Sequence, residues 1–435
     1  TVDWLNNKFS FSLGTRPGGA RAGMNITVFS HYFTPEIGAP SARIFDMAQQ
    51  WLRLRHQVQV VTCFPNHPIG SIYPGYQPRR HMCEMLDGIK VHRHWTYVTP
   101  NKGLIKKTLG HLSYLPSSAF NSAPHLDRPD VTIGTSPTFF AAMASDRVAR
   151  RYRVPHIMEV RDMWPAAFVE LGVLRNRFVI GVLEKWERSL YRRASRVVTV
   201  TEAFRRNLID RGIPAAKIFN IPNGADEEFW RPAERSVELT QRLRLEGKFV
   251  VLYIGAHGIS QALGSIIDSA RILRHEARIR FLFVGEGAEK NLLERRAAES
   301  GLSNVQFLDP VDKIAVREFY ALADVCLVPL RDIPIFQSFI PSKMFEMMAM
   351  ERPIIASVRG EAADILSRSG GAIVVPPEDP VALSKAISQL AKDRAYALEL
   401  GRNGRRFVVN NYSRRAASAK YLEVIEAARA ELQKL

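Results

Sequence analysis

The chain has 435 residues, of which 46% are hydrophobic and 24% charged. That length suits two domains of roughly 100–200 residues each, and the composition excludes a disordered chain. A formal net charge of +17 points to an acidic partner such as nucleic acid, anionic lipid or a phosphorylated substrate. The three cysteines, Cys63, Cys83 and Cys326, form neither a disulfide framework nor a zinc spacing, which fits a reduced, cytosolic chain without a structural metal.

The first 23 residues lack the charged n-region and clean apolar h-region of a signal peptide. They are expected to be a disordered leader, or an upstream extension of the reading frame, outside the fold. From Met24 onward short β-branched runs alternate with helical patterns. Strands are expected at 25–30, 58–63, 89–94, 130–136, 155–160, 195–200 and 217–222. Helices are expected at 41–55, 139–152 and 178–193, the first with Ile44, Met47, Ala48, Trp51 and Leu52 at helical spacing. A polar, charged stretch after Asn223 reads as a linker. The alternation then restarts, with strands at 249–255, 280–285, 305–309, 324–330, 352–357 and 372–377. Helices follow at 261–275, 287–299, 312–322, 341–350, 361–367 and 380–393. The pattern predicts two doubly wound α/β halves facing a central cleft, where ligands bind outside the carboxyl ends of the strands. The expected domains are 24–228 and 245–412, with 413–435 forming a C-terminal helix that has a route back to the first domain. No apolar run reaches the roughly 18 residues of a membrane-spanning helix.

Several loops carry candidate chemistry. FTPEIGAPSAR (33–43) places Gly38 shortly before the first helix, where backbone donors can meet a phosphate. YIGAHG (253–258) and the GEG at 285–287 end strands in glycines, Gly255 and Gly285 among them, where backbone N–H groups can approach an anion. The GEG alone is a weak dinucleotide signal, because the full G-x-G-x-x-G is missing. IPSKMFEMMAM (340–350) reads as a helix opening at Pro341. Lys343 then lies in its first turn, where a cation opposes the helix dipole unless an anion binds at the same end. Glu346, one turn later, could accept from two adjacent hydroxyls such as those of a ribose. The alternative is a surface Lys–Glu pair contributing about 0.2–0.5 kcal/mol. The residues alone leave both readings open.

The order and wording of these segments resemble the retaining nucleotide-sugar glycosyltransferases of family 4, which have the GT-B fold of two Rossmann-like domains. The matching residues are PEIGAPSAR (35–43), EVRDMWP (159–165), IPNGADEEFW (221–230), FVGEGAEK (283–290) and the long block at 327–366. The likeness is greatest to the bacterial branch of O-antigen and capsule assembly that includes N-acetyl-L-fucosaminyltransferases. It implies that the first domain binds an acceptor and the second a nucleotide-sugar. The family's signature is a pair of glutamates, the second of which contacts the ribose. Glu346 matches the second, and Ser338 stands where the first would fall. Backbone groups from Gln337 to Ile340 are then the substitutes for the missing carboxylate. The family's usual Arg and Lys after the first C-terminal strand are also absent from GAHGISQAL (255–263), which leaves Lys343 to carry the charge for the diphosphate. Many members place a histidine near the reacting carbon; GTSP (134–137) offers Ser136 there, with Arg161 and Asp162 as alternatives lining the cleft.

By this reading Asp162 and Lys343 are catalytic. Gly38, Gly255, Gly285, Ser338, Ile340, Lys343 and Glu346 hold the nucleotide-sugar, and Glu36, Arg43 and Arg161 meet the acceptor or sugar. No cofactor and no metal are expected, since no Asp-x-Asp motif is present. The stretch NKGLIKKTLGHLSYL (101–115) carries Lys102, Lys106, Lys107 and His111 among leucines and no acidic residue, which suits contact with an anionic membrane surface. An ordinary amphipathic helix of the first domain is the alternative. The partners expected are a UDP-sugar or related donor, a polyprenyl-diphosphate-linked acceptor and the inner face of the bacterial inner membrane, and no nucleic acid. The rival functions are a sugar-nucleotide epimerase or hydrolase on the same fold, and a basic nucleic-acid-binding protein, for which no module is recognised.

Overall fold

The computed structural model describes residues 23–434 except 37, 68–69, 99–103, 123, 137–138, 167–168 and 170–173. The leader expected at 1–23 therefore falls outside the described residues but for Gly23. The first sheet contains β1 (Asn25–Phe29), β2 (Gln57–Cys63), β3 (His81–Leu86), β4 (Ile89–His94), β5 (Val131–Thr135), β6 (His156–Val160), β7 (Arg196–Thr199) and β8 (Ile218–Asn220). Their order is β3-β4-β2-β1-β5-β6-β7-β8. The helices of this half are α1 (Ala39–Arg53), α2 (Leu104–Asn121), α3 (Phe139–Tyr152), α4 (Arg177–Arg193) and α5 (Glu202–Asp210). The second sheet contains β9 (Phe249–Ile254), β10 (Ile279–Val284), β11 (Val305–Leu308), β12 (Val325–Pro329), β13 (Ile354–Ser357) and β14 (Ala372–Val375), in the order β11-β10-β9-β12-β13-β14. All its pairings are parallel.

Every residue of β1 and β9 is buried, as expected for parallel strands covered on both faces by helices. In the middle of β5, Gly134 lets α3 lie close, since a Cβ there would come within 2.5 Å of Ala142 Cα. One edge of the first sheet departs from parallel pairing. β3 runs antiparallel to β4, and the turn between them is Asp87-Gly88, both at positive φ. This is the Asp-Gly signature of a two-residue hairpin.

The linker leads through α6 (Val237–Arg242), and Trp230, Leu239 and Leu245 belong to the core of the second half. Its helices are α7 (Gly264–Ile272), α8 (Lys290–Glu299), α9 (Lys313–Leu322), α10 (Lys343–Ala349), α11 (Glu361–Ser369), α12 (Pro380–Lys392) and α13 (Arg394–Asn411). The last helix, α14 (Arg414–Leu432), returns to the first half. Its Tyr421, Leu422, Val424 and Ile425 share a core with Trp51 and the β1 side chains. The Trp51 indole donates to Ser418 O at 3.3 Å. The chain thus passes between the halves twice, once near Ala225 and once near Ser413, where the two passes form a β-bridge.

Candidate active site

The loops at the carboxyl ends of the two sheets carry most of the candidate residues. On the second-domain side, α10 begins at Lys343, two residues later than Pro341. The Lys343 ammonium lies 3.3 Å from Ile254 O at the end of β9 and 3.9 Å from the centre of the Tyr253 ring. A Cβ on Gly255 would stand 3.5 Å from that nitrogen. Lys343 and Gly255 are therefore brought together. Burial pushes the ammonium down to about 7, opposed by Cys326 and Glu346. Glu346 turns elsewhere: its carboxylate accepts from the Tyr320 hydroxyl at 3.3 Å. Burial pushes Glu346 up to about 7, while Lys313, the Tyr320 hydroxyl and Lys343 draw it down.

Gly255 and Gly285 do not act as anion donors. The Gly255 N–H donates to Val284 O at 2.9 Å and the Gly285 N–H to Leu308 O at 3.1 Å. Both have φ near +140°, and a Cβ on Gly285 would meet Gly255 O at 2.0 Å. Their role is to let two loops pass backbone against backbone. Ser338 closes the 3-10 turn Pro334–Ser338, where its hydroxyl donates to Ile335 O at 2.7 Å. It takes no carboxylate-like role there. Ile340 is half-buried beside it.

On the first-domain side, Gly38 is exposed and caps α1 without a side-chain hydrogen bond. Two residues read as acceptor contacts are engaged inside the domain instead. Glu36 is 5% exposed. Its carboxylate accepts from the backbone of Phe33, Asn66 and His67 at 3.2, 2.8 and 2.9 Å. Burial still pushes it up to about 7. Arg43 is buried and paired with Glu159 at 2.9 Å. It also donates to Ile221 O, Pro222 O and Asn223 Oδ1. Both arrangements have one physical cause: a buried charge needs its hydrogen bonds from the protein, and these side chains help to build the loops that hold them.

Arg161 and Asp162 end β6 side by side. The Ser136 hydroxyl accepts both of their backbone N–H groups, at 2.7 and 3.2 Å. Ser136 thus fixes the loop and Asp162 is presented by it. Arg161 is buried and donates to Pro40 O at 3.1 Å. Burial pushes the Asp162 carboxyl up to about 6, against the pull of Arg161. Asp162 also raises the pKa of the buried Tyr32 hydroxyl, after burial itself, Glu36 and Cys63. Tyr32 is hydrogen-bonded to His111 Nε2 at 3.1 Å.

Several participants carry no local sequence signal. Tyr320, a buried tyrosine in a helix, meets Glu346. Lys313 bridges the halves, with its ammonium 3.2 Å from Asp46 on α1 and 4.6 Å over the Phe229 ring. His111, counted with the surface cations of 101–115, turns towards Tyr32 instead. Of the expected membrane contacts, Lys102 lies outside the described residues. Lys106 and Lys107 are in α2, which exposes Leu109, Leu112 and Phe120. Among the described residues no helix is long and apolar enough to cross a membrane, and no group of His, Cys, Asp or Glu suits a metal ion.

Comparison with known proteins bears on the family and the fold. Residues 38–224 match the family model described as a glycosyl transferase 4-like domain, and residues 248–393 match glycosyl transferases group 1. The chain is 27% identical over 377 residues to an Escherichia coli K12 protein named "Putative colanic acid biosynthesis glycosyl transferase WcaI", covering 84% of this chain and 92% of the relative. The fold matches sucrose-phosphate synthase from Thermosynechococcus elongatus with a TM-score of 0.73 at 17% identity, over 94% of this chain and 100% of that one. It also matches Anabaena HepE in complex with UDP and glucose, with a TM-score of 0.69 at 16% identity, over 93% of this chain and 99% of the other. The chain is a glycosyltransferase, and its fold is GT-B.

Proposed function

We propose that this glycosyltransferase moves a sugar, with retention, from a UDP-linked donor to a saccharide carried on a polyprenyl diphosphate, in the assembly of a bacterial surface polysaccharide. Residues 24–228 take the acceptor and 245–412 the donor. The observation that carries the reading is the Lys343 ammonium, which sits beside Gly255 at the carboxyl end of β9 with no carboxylate within ion-pair distance among the described residues. An ammonium in that position supports a role for Lys343 in meeting the diphosphate. Glu346 takes the ribose hydroxyls, and the backbone from Gln337 to Ile340 stands in for the absent first glutamate. The bacterial relative named for colanic acid biosynthesis supports a surface polysaccharide as the product. The HepE complex supports UDP as the nucleotide. Within this class, the resemblance of the sequence favours an N-acetyl-L-fucosamine donor.

The bond from the anomeric carbon to the phosphate oxygen breaks as the acceptor hydroxyl attacks from the same face. The acceptor proton passes to the leaving phosphate oxygen, so no protein base is required. Lys343 stabilises the charge that develops on the diphosphate, without a metal. Asp162, on the opposite wall, orients the acceptor hydroxyl. The basic first domain holds the enzyme against the anionic inner face of the membrane, where such an acceptor resides. A panel of UDP-, GDP- and dTDP-sugars scored by thermal shift tests the donor. Stabilisation by UDP-sugars alone is expected. Turnover of the stabilising donor to an epimer or free sugar without acceptor would overturn the transfer reading.

A further inference from the structure

We propose that Glu361 is a positioning residue for sugar transfer, tying α5 of the first domain to the second-domain loop that carries Ser338. This rests on the donor site proposed above. Glu361 opens α11, yet its carboxylate reaches across the cleft to the start of α5. One oxygen accepts the Glu202 N–H and the other the Ala203 N–H, each at 2.8 Å. These first-turn donors have no acceptor within their own helix. The α5 cap, Thr201, takes the Phe204 N–H instead. An anion at a helix N-terminus is also favoured by the dipole. The contact is therefore chemically complete, and it exists only when the two domains are together.

The same corner of the second domain supports the Ser338 loop. Gly360, at φ +68°, lies against the loop backbone so closely that a Cβ there would stand 2.1 Å from Gln337 O. On the other side, Phe339 meets Phe204 of α5 edge to face at 5.6 Å between ring centres. A closed triangle results: the loop rests on Gly360, Glu361 grips α5, and α5 returns to the loop through Phe204. This arrangement matters because the loop lacks its glutamate. With the Ser338 hydroxyl turned to Ile335 O, the loop meets the sugar through its backbone, and backbone groups are aimed only by placing the whole loop. The grip of Glu361 makes that placement depend on the first domain, which brings the acceptor.

The test compares full-length wild type with E361A and with E361Q, which keeps one carbonyl acceptor but no charge. Small-angle scattering without nucleotide reads domain separation, calorimetry reads UDP affinity, and steady-state assays separate kcat from KM. Losing a charge-assisted contact present only in the closed arrangement shifts that equilibrium about tenfold towards the open one. E361A should show a larger radius of gyration and a kcat lowered about tenfold, with UDP affinity within about twofold of wild type. E361Q should fall between the two. Wild-type scattering and kcat in E361A would overturn the proposal. So would a loss of kcat accompanied by an equal loss of UDP affinity and melting temperature, which a merely structural role would give. Scattering needs neither donor nor acceptor, so it judges the clasp even if UDP proves not to bind.

Discussion

Lys343 and Glu346 stand one helical turn apart and do not pair. The ammonium faces Ile254 O at 3.3 Å while the carboxylate accepts from the Tyr320 hydroxyl at 3.3 Å. Residues at this spacing on a helix face each other by default, so the divergence has causes: the Tyr253 ring under the ammonium and the Tyr320 hydroxyl beside the carboxylate. The two groups therefore have separate partners, and the proposed function gives them separate parts of the donor. K343A and E346A should each lower transfer by about 10²–10³-fold, the range for losing a group aimed at developing charge or at a bound hydroxyl pair. Melting temperatures should stay close to wild type. Steady-state kinetics with a melting control makes the check, and near-normal turnover in either variant would remove that residue from the site.

The acid–base behaviour of this pair gives a second expectation. Burial places both groups at about 7 in the free protein. Below that value Glu346 is protonated and accepts hydrogen bonds poorly; above it Lys343 loses the charge that meets a diphosphate. The pH profile of kcat/KM should therefore be a bell centred near neutrality, reporting the coupled pair in the free enzyme. K343R keeps its charge at all these pH values, so its alkaline limb should disappear while its acid limb stays. E346Q should lose the acid limb. A wild-type profile flat from pH 6 to 8 would contradict both assignments.

Arg43 tests whether the N-terminal loop is built by its charges or offers them to a ligand. Its guanidinium holds Glu159 and the carbonyls of Ile221 and Pro222 inside the domain. R43M would leave Glu159 buried without its partner, a change that costs about 3–5 kcal/mol. Urea unfolding should show that loss, with the KM for donor and acceptor unchanged in whatever fraction remains folded. A variant of normal stability with a raised acceptor KM would restore Arg43 to the ligand side.

The frame of the fold was legible because parallel strands buried on both faces read as continuous apolar runs, and both β1 and β9 are such runs. β3 was not legible: HMCEML alternates in burial at a sheet edge, and its Asp-Gly turn was the available signal. Lys343 was singled out because a cation in a helix's first turn is out of place without an anion. Glu36 and Arg43 were read as ligand contacts without sight of their partners inside the domain. A charge in a cleft loop looks the same in sequence whether it faces a ligand or satisfies backbone groups, and burial alone separates the two. Tyr320, Lys313 and Glu361 act through contacts between residues far apart in the chain, which local spacing cannot express.

Membrane contact supplies the last prediction. α2 carries Lys106 and Lys107 and exposes Leu109, Leu112 and Phe120. α4 adds Arg177, Lys185, Arg188 and Arg192 on its exposed side, with Phe178 81% exposed and Trp186 44% exposed. On α4, cations beside large apolar side chains suit the headgroup region of an anionic bilayer, where each basic residue contributes about 1 kcal/mol. The protein should sediment with vesicles of phosphatidylglycerol and be released by high salt, because the electrostatic part is screened. Replacing Lys106 and Lys107 together by glutamine should remove about 2 kcal/mol, roughly thirtyfold in partition. F178A should weaken binding without changing its salt dependence, since it removes only apolar area. Sedimentation that is equal on neutral phosphatidylcholine vesicles, or absent at low salt, would count against an anionic surface as the place where this enzyme meets its acceptor.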